Sequence, residues 1–407
     1  MTVNDGKNPH EIIAAERHCN CDKCPIANLD SGVVCAQDYG VVSVQTRSGP
    51  IDGIIIVGEI PTFNDKRGPL SGRAKRNWQE ALDKSGLSSL NLLLLPAVHC
   101  VPGGVLKKSD RHKVVSACKP SAAVDLAAYP NVPVLLMGTD AIQTYGLDVK
   151  INENRGFLNQ KEGTRPYIIT YAATTVMFGN IYMWGTFIED LRRFYRLITG
   201  TLKPGLLPNM VKTHATADDI LQWQRLSRSE WFAVDIETTA PADNPEWGKD
   251  PTRAFLKTIA FGVPDSAVSL HWESADYETK KLVVQLLNWD QLTKVFHNGP
   301  WFDLRVQERY GLTVNNWEDT RDLRRAISST SRLSLGYLGS LYCDIPPWKL
   351  DDGKDKLAFT TDLDKLLLYN GYDTIVTARI YADMRKHLAI PATPENPHPY
   401  WKDGTNA

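Results

Sequence analysis

The sequence predicts two successive α/β units, and three observations carry that prediction. Strand-like apolar runs alternate with helical periodicity along most of the 407 residues. A chain of that length exceeds what one hydrophobic core normally serves. The stretch LITGTLKPGLLPNMVKT, residues 197–213, sets two glycines and two prolines between the alternating regions, which marks a boundary. The expected division is a domain at 1–200, a linker at 201–212, a second domain at 213–392, and a tail at 393–407 rich in proline and glycine.

Hydrophobic content of 43% and charged content of 23% are those of a globular protein in water. A formal charge of -1 excludes a globally basic nucleic-acid binder, so any DNA contact must come from local patches. No run of eighteen apolar residues occurs, and MTVNDGKNPHEII lacks a charged-then-apolar leader pattern. A cytoplasmic location with no membrane partner is therefore expected. Seven cysteines, an odd number, fit poorly with a complete disulfide set, and a cysteine cluster in a cytosolic protein points rather to metal.

In the first region, GIIIVG (53–58), LNLLLLPAV (90–98), VPVLLMG (132–138) and YIITYA (167–172) read as strands with helical stretches between them. That alternation predicts an α/β/α layered domain on a mainly parallel sheet. The second region opens with the strand WFAVDIETT (231–239). KTIAFGV and SAVSLHW follow as a hairpin about Pro264 and Asp265, then a helix at YETKKLVVQLL and a strand at LTKVFHNG. Three antiparallel strands, a helix and a parallel strand predict a ribonuclease-H-like α/β fold.

Alternation along a strand points Asp235 and Glu237 of VDIETT the same way. Two like charges on a buried strand are destabilised unless a positive partner lies between them, and a divalent metal is the simplest one. Hard cations such as Mg²⁺ or Mn²⁺ accept carboxylate oxygens and keep waters that a phosphate can displace. HNGPWFDLRVQERYG opens a helix with Asp303 in its first turn, where an acid also suits the helix dipole. In YNGYDTIVTARIY, Tyr369 and Asp373 are four residues apart and share a helical face.

Taken in order, VDIETT, FHNGPWFDL and YNGYDTIVTARIY resemble the three motifs of the DnaQ-like DEDDy 3'-5' exonuclease domain of family A DNA polymerases. The resemblance covers about residues 229–388. It implies two-metal phosphodiester hydrolysis with Asp235, Glu237, Asp303 and Asp373 as metal ligands and Tyr369 orienting the attacking water. Asn298, Phe302 and Thr238 would meet the terminal nucleotide of a single-stranded 3' end. For Asn298 a turn residue, and for Phe302 a core aromatic, are equally good readings. Asp319 in NWEDTRDL would act in support of the site, and LGYLGSLYCDIPPWK resembles phage-type polymerases, implying a viral source and the host cytoplasm.

Cys21 and Cys24 form C-x-x-C, while Cys100 and Cys118 follow a strand and lie in a helix pattern. Four thiolates could hold zinc or an iron-sulfur cluster, and spacing alone does not choose; buried reduced cysteines are the third possibility. VGEIP, GPLSGRA, a strand ending in HC and a later ACKP resemble the family 4 uracil-DNA glycosylases, over roughly residues 10–198. The resemblance implies a uracil-DNA glycosylase-like α/β/α domain with a 4Fe-4S cluster on Cys21, Cys24, Cys100 and Cys118, with Cys19 a rival for Cys21.

Departures from that pattern bear on activity. Thr62 stands where those enzymes carry glycine, Pro96 where they carry a uracil-reading asparagine, and Ala172 and Ala173 at their leaving-group histidine motif. Without those donors a flipped base is neither read nor released, so the domain is expected to bind DNA or a partner without excising uracil. Arg73, Lys75 and Arg76, with Lys107, Lys108, Arg111, His112 and Lys113, could contact phosphates or serve as solvated loops. The whole then reads as a proofreading exonuclease acting with a separate DNA polymerase, since the chain ends where a polymerase domain would begin. Rival readings are an active glycosylase fused to an exonuclease for repair, and a non-enzymatic DNA clamp.

Overall fold

The computed structural model describes residues 20–28, 34–35, 42–43, 50–58, 75–98, 100–101, 106–160, 164–176, 183–328, 332–348 and 362–388. The chain divides into two compact units, Met1–Leu202 and Lys203–Ala407.

In chain order the described elements of the first unit are β1 (Val34–Cys35), β2 (Val42–Ser43), β3 (Gly53–Val57), α1 (Lys75–Ser85), β4 (Leu92–Pro96) and β5 (Cys100–Val101). Then come α2 (Lys108–Ala127), β6 (Val134–Met137), α3 (Thr139–Tyr145), α4 (Ile151–Asn154), β7 (Leu158–Asn159), β8 (Tyr167–Thr170) and α5 (Trp184–Thr199). The main sheet runs β2-β4-β3-β6-β8-β7, with β4, β3, β6 and β8 parallel and the short edges β2 and β7 antiparallel. Its central strands are buried at every position, as continuous apolar runs on a two-sided parallel sheet should be.

Alternation along those strands feeds two separate cores. Ile55, Val57, Leu135 and Met137 pack with Trp78 and Leu82 of α1 and Phe187, Leu191 and Phe194 of α5. Ile54, Ile56, Val134 and Leu136 pack the opposite way, with Ala141 and Ile142 of α3. The result is the three-layer arrangement that the strand and helix pattern predicts. Inside it Asp190 of α5 pairs with Arg155 and accepts from Thr170 Oγ1 at 2.7 Å, while burial pushes its carboxyl pKa up.

The second unit continues with β9 (Val211–Lys212), α6 (Ala217–Ser227), β10 (Trp231–Thr239), β11 (Phe255–Val263), β12 (Ser266–His271), α7 (Tyr277–Asn288) and β13 (Thr293–Phe296). It closes with α8 (Asp303–Arg309), β14 (Trp317–Asp319), α9 (Thr320–Ile327), α10 (Leu335–Tyr342) and α11 (Leu363–Leu388). Sheet order is β14-β13-β10-β11-β12-β9, antiparallel through β10, β11 and β12 and parallel at the other pairings. The hairpin and the parallel return strand thus form as their sequence pattern predicts.

β9 falls inside the stretch expected to be a linker, because its backbone pairs in parallel with Ala267 and Val268. The preceding Pro204–Gly205 segment is also tied down: Arg379 of α11 donates to Pro204 O at 2.6 Å and Gly205 O at 3.1 Å. Composition alone could not show that a distant guanidinium satisfies those carbonyls.

Phe232, Val234 and Ile236 of β10 join a core with Ile220 and Trp223 of α6 and Val283 and Leu286 of α7. Ala233, on the alternate face, packs with Ala378 and Tyr381 of α11. Helix α11 lies close because glycine stands at the contacts: a Cβ on Gly262 would come 2.4 Å from Thr374 Oγ1, and one on Gly371 2.3 Å from Val211. That close approach brings the polar face of α11 onto the acid-bearing strand.

Candidate metal centre

Strand alternation carries Asp235 and Glu237 to the face of β10 that α11 covers, and α11 supplies Asp373 to the same place. One ligand atom from each of the three carboxylates lies within 4.8 Å of the others. Asp373 is buried and the other two are half-buried, so their mutual repulsion is poorly screened by water. Hard oxygen donors crowded in this way fit a divalent cation such as Mg²⁺.

Asp303, the first residue of α8, is also buried. Burial pushes its carboxyl up to about 7, and the like charges of Asp319 and Asp373 push the same way. The backbone N–H groups of Asp303 itself and of Ile236 work against the shift. Ile236 stands between Asp235 and Glu237 on β10, but Asp303 is not one of the three carboxylates that lie within 4.8 Å of one another. Tyr369 stands one turn before Asp373 on α11 and is half-buried.

The residues expected to touch a terminal nucleotide have defined local partners. Asn298 takes a left-handed φ of 72° where β13 turns into the Gly299–Trp301 helical turn, a conformation asparagine tolerates, and its Oδ1 accepts from Arg321. Phe302 packs partly against the core, whereas its neighbour Trp301 is 61% exposed with the Arg305 guanidinium 5.9 Å from its ring. Thr238 spends its hydroxyl proton on Gly248 O at 2.8 Å, closing the loop after β10.

Asp319 accepts from Gly299 N and Arg321 N, both at 2.8 Å, and so ties the β13 turn to the start of α9. Two polar partners of the acids, and a third residue that bonds one of those partners, were not identified from the motifs. Asn370 Nδ2 donates to Asp235 Oδ2 at 2.7 Å, Thr258 Oγ1 donates to Asn370 Oδ1 at 3.0 Å, and Trp348 Nε1 donates to Asp373 Oδ1 at 2.5 Å. The one available signal was Asn370 itself, a polar residue on the buried face of an amphipathic helix.

In the first unit Cys24 and Cys118 are buried together with Ile26, Val98, Val114 and Val115. The backbone of Cys21 lies in a short helical turn and that of Cys100 in β5, opposite Cys35; the side chains of Cys21 and Cys100, and all of Cys19, are outside the described residues. Thr62, Arg73 and the side chains of Lys75 and Lys108 are outside them too. Arg111 is committed to Asp140 at 2.7 Å. Among the described residues no helix is long and apolar enough to cross a membrane.

Comparison with known proteins bears on the second unit. Residues 208–389 match a family model described as 3'-5' exonuclease. No curated protein matches the chain. Among solved structures, Brucella melitensis NrnC is 21% identical with a TM-score of 0.34, over 44% of this chain and 82% of its own. The catalytic core of RRP6 from Trypanosoma brucei is 17% identical with a TM-score of 0.32, over 44% of this chain and 47% of its own. Escherichia coli RNase D, an exoribonuclease involved in structured RNA processing, is 15% identical with a TM-score of 0.30, over 44% and 47% respectively. The family match spans every acid of the cluster, and residues 208–389 are a 3'-5' exonuclease domain.

Proposed function

We propose that the chain is a metal-dependent 3'-5' DNA exonuclease that proofreads 3' ends for a separate DNA polymerase. The observation that carries the nuclease reading is the convergence of Asp235, Glu237 and Asp373 to within 4.8 Å. When bound, divalent ions would supply charge neutralisation at the scissile phosphate and a more acidic attacking water. Asp235, Glu237, Asp303 and Asp373 hold them in this reading, and Tyr369, one helical turn from Asp373, orients the water through its phenol. DNA is preferred as substrate because the three motifs resemble those of DNA polymerases.

The first unit, in this proposal, binds DNA or the polymerase and carries a 4Fe-4S cluster on Cys21, Cys24, Cys100 and Cys118. Supporting that reading are Cys24 and Cys118 in one cluster and the packing of the Cys21–Lys23 turn near α2, where Asn20 N donates to Ala117 O at 2.8 Å. Pro96 at the end of β4 and Ala172 after β8 offer no side-chain donor to a flipped uracil.

The experiment follows 3'-labelled and 5'-labelled single-stranded DNA containing one uracil, and RNA of matching sequence, with Mg²⁺ or EDTA. Stepwise loss from the 3' end of DNA that needs metal and disappears in Asp235→Ala is the expected result. Preference for RNA would overturn the DNA assignment, and an alkali-labile break at uracil would restore the glycosylase. Purification without a polymerase from the native source would count against the partner.

A further inference from the structure

Asn370 follows Tyr369 on α11 and is fully buried. Its amide makes two directional bonds: Oδ1 accepts from Thr258 Oγ1 at 3.0 Å, and Nδ2 donates to Asp235 Oδ2 at 2.7 Å. Thr258 is itself fully buried and is the cross-strand partner of Glu237 on β11, while Ala260 lies opposite Asp235. The amide therefore reaches diagonally across two strands, from the threonine beside one acid to the carboxylate of the other.

Chemistry fixes the direction of this chain. A carboxylate only accepts, so the amide face turned to Asp235 must be the NH₂ group; the reversed amide would set two acceptors against each other. The oxygen then faces β11, where the Thr258 hydroxyl supplies the matching proton. A neutral donor on one oxygen holds the carboxylate plane without adding a cation that would compete with a metal for its charge.

Resting on the metal-dependent nuclease reading above, we propose that Asn370 is a positioning residue whose amide, aimed by Thr258, holds the Asp235 carboxylate as a divalent cation requires. Partners of metal ligands of this kind typically change metal affinity by about ten- to a hundredfold when removed. Asn370 touches neither substrate nor metal in this role; it acts through Asp235.

The test is Mn²⁺ binding to the full chain, read from free Mn²⁺ by electron paramagnetic resonance, with thermal melts as a control for folding. Asn370→Ala is expected to weaken Mn²⁺ binding about tenfold or more. Thr258→Val, which keeps shape and loses the hydroxyl, should weaken it by a smaller factor, and Thr258→Ser, which keeps the hydroxyl, should bind as the parent does. Asp235→Ala marks the limit. If Asn370→Ala folds and binds Mn²⁺ as the parent does while Asp235→Ala does not, the proposal is overturned and the nuclease reading stands. Should Asp235→Ala also bind as the parent does, the metal centre itself falls and the proposal with it. Where Asn370→Ala does not fold, equal affinities for Thr258→Val and Thr258→Ser overturn the proposal.

Discussion

The indole N–H of Trp348 donates to Oδ1 of Asp373 across 2.5 Å, joining the segment after α10 to the acid cluster. Trp348 reaches it because Gly339 of α10 leaves room: a Cβ there would stand 2.5 Å from the indole ring. Trp348→Phe removes the donor, and Gly339→Ala displaces the ring from a position that touches no acid. Both are expected to raise the Mg²⁺ needed for half-maximal cleavage, by about tenfold for Trp348→Phe. A Gly339→Ala titration that matches the parent would show that the indole does not orient Asp373.

Burial of Asp303 sets a pH dependence whose sign is fixed. Its carboxyl is raised from 3.8 to about 7 in the folded, metal-free protein. The stability it contributes is therefore complete below the unfolded value of 3.8 and is lost as pH rises through about 7. In the proposed centre, where Asp303 is a ligand, Mg²⁺ displaces that proton, so binding should release protons near neutrality and tighten as pH rises. Melts at pH 6 and pH 8 should show a larger Mg²⁺-induced rise in Tm at the higher pH. Asp303→Asn is expected to flatten the pH dependence in EDTA and to abolish cleavage.

The proposed role of Tyr369 is separable from that of the acids. Tyr369→Phe keeps the ring and loses the hydroxyl that would orient the water, so Mn²⁺ affinity should persist while single-turnover cleavage slows by about a hundredfold or more. Equal rates for Phe and Tyr would assign the ring to packing alone.

In the first unit, Asp190→Ala removes the carboxylate that Arg155 and Thr170 share in a fully buried setting. Breaking a buried pair from one side costs about 3–5 kcal/mol. Urea unfolding should show that loss, and Mg²⁺-dependent cleavage at low denaturant should be retained if the exonuclease domain folds independently.

Much of the second unit was legible in sequence because its signals are local. A two-residue period puts Asp235 and Glu237 on one face of β10, and a four-residue interval puts Tyr369 and Asp373 on one face of α11. The alternating strands of the first unit were legible for the same reason, since each apolar run needs cover on both faces.

Only the tertiary structure decided which partners those side chains meet. Asn370 and Asp235 are separated by 135 positions, and Lys203 N and Asp344 by 141, distances over which no periodicity carries information. Phe302 shows the same limit: sequence proposes either a nucleotide contact or a core aromatic, and the folded chain turns it partly into the core while leaving Trp301 outside. Hydrogen bonding and close packing are pairwise and directional, so they are settled when helix α11 meets the sheet through Gly262 and Gly371. The sequence by itself determined the acids and their order along the chain; the fold determined how each carboxylate is held.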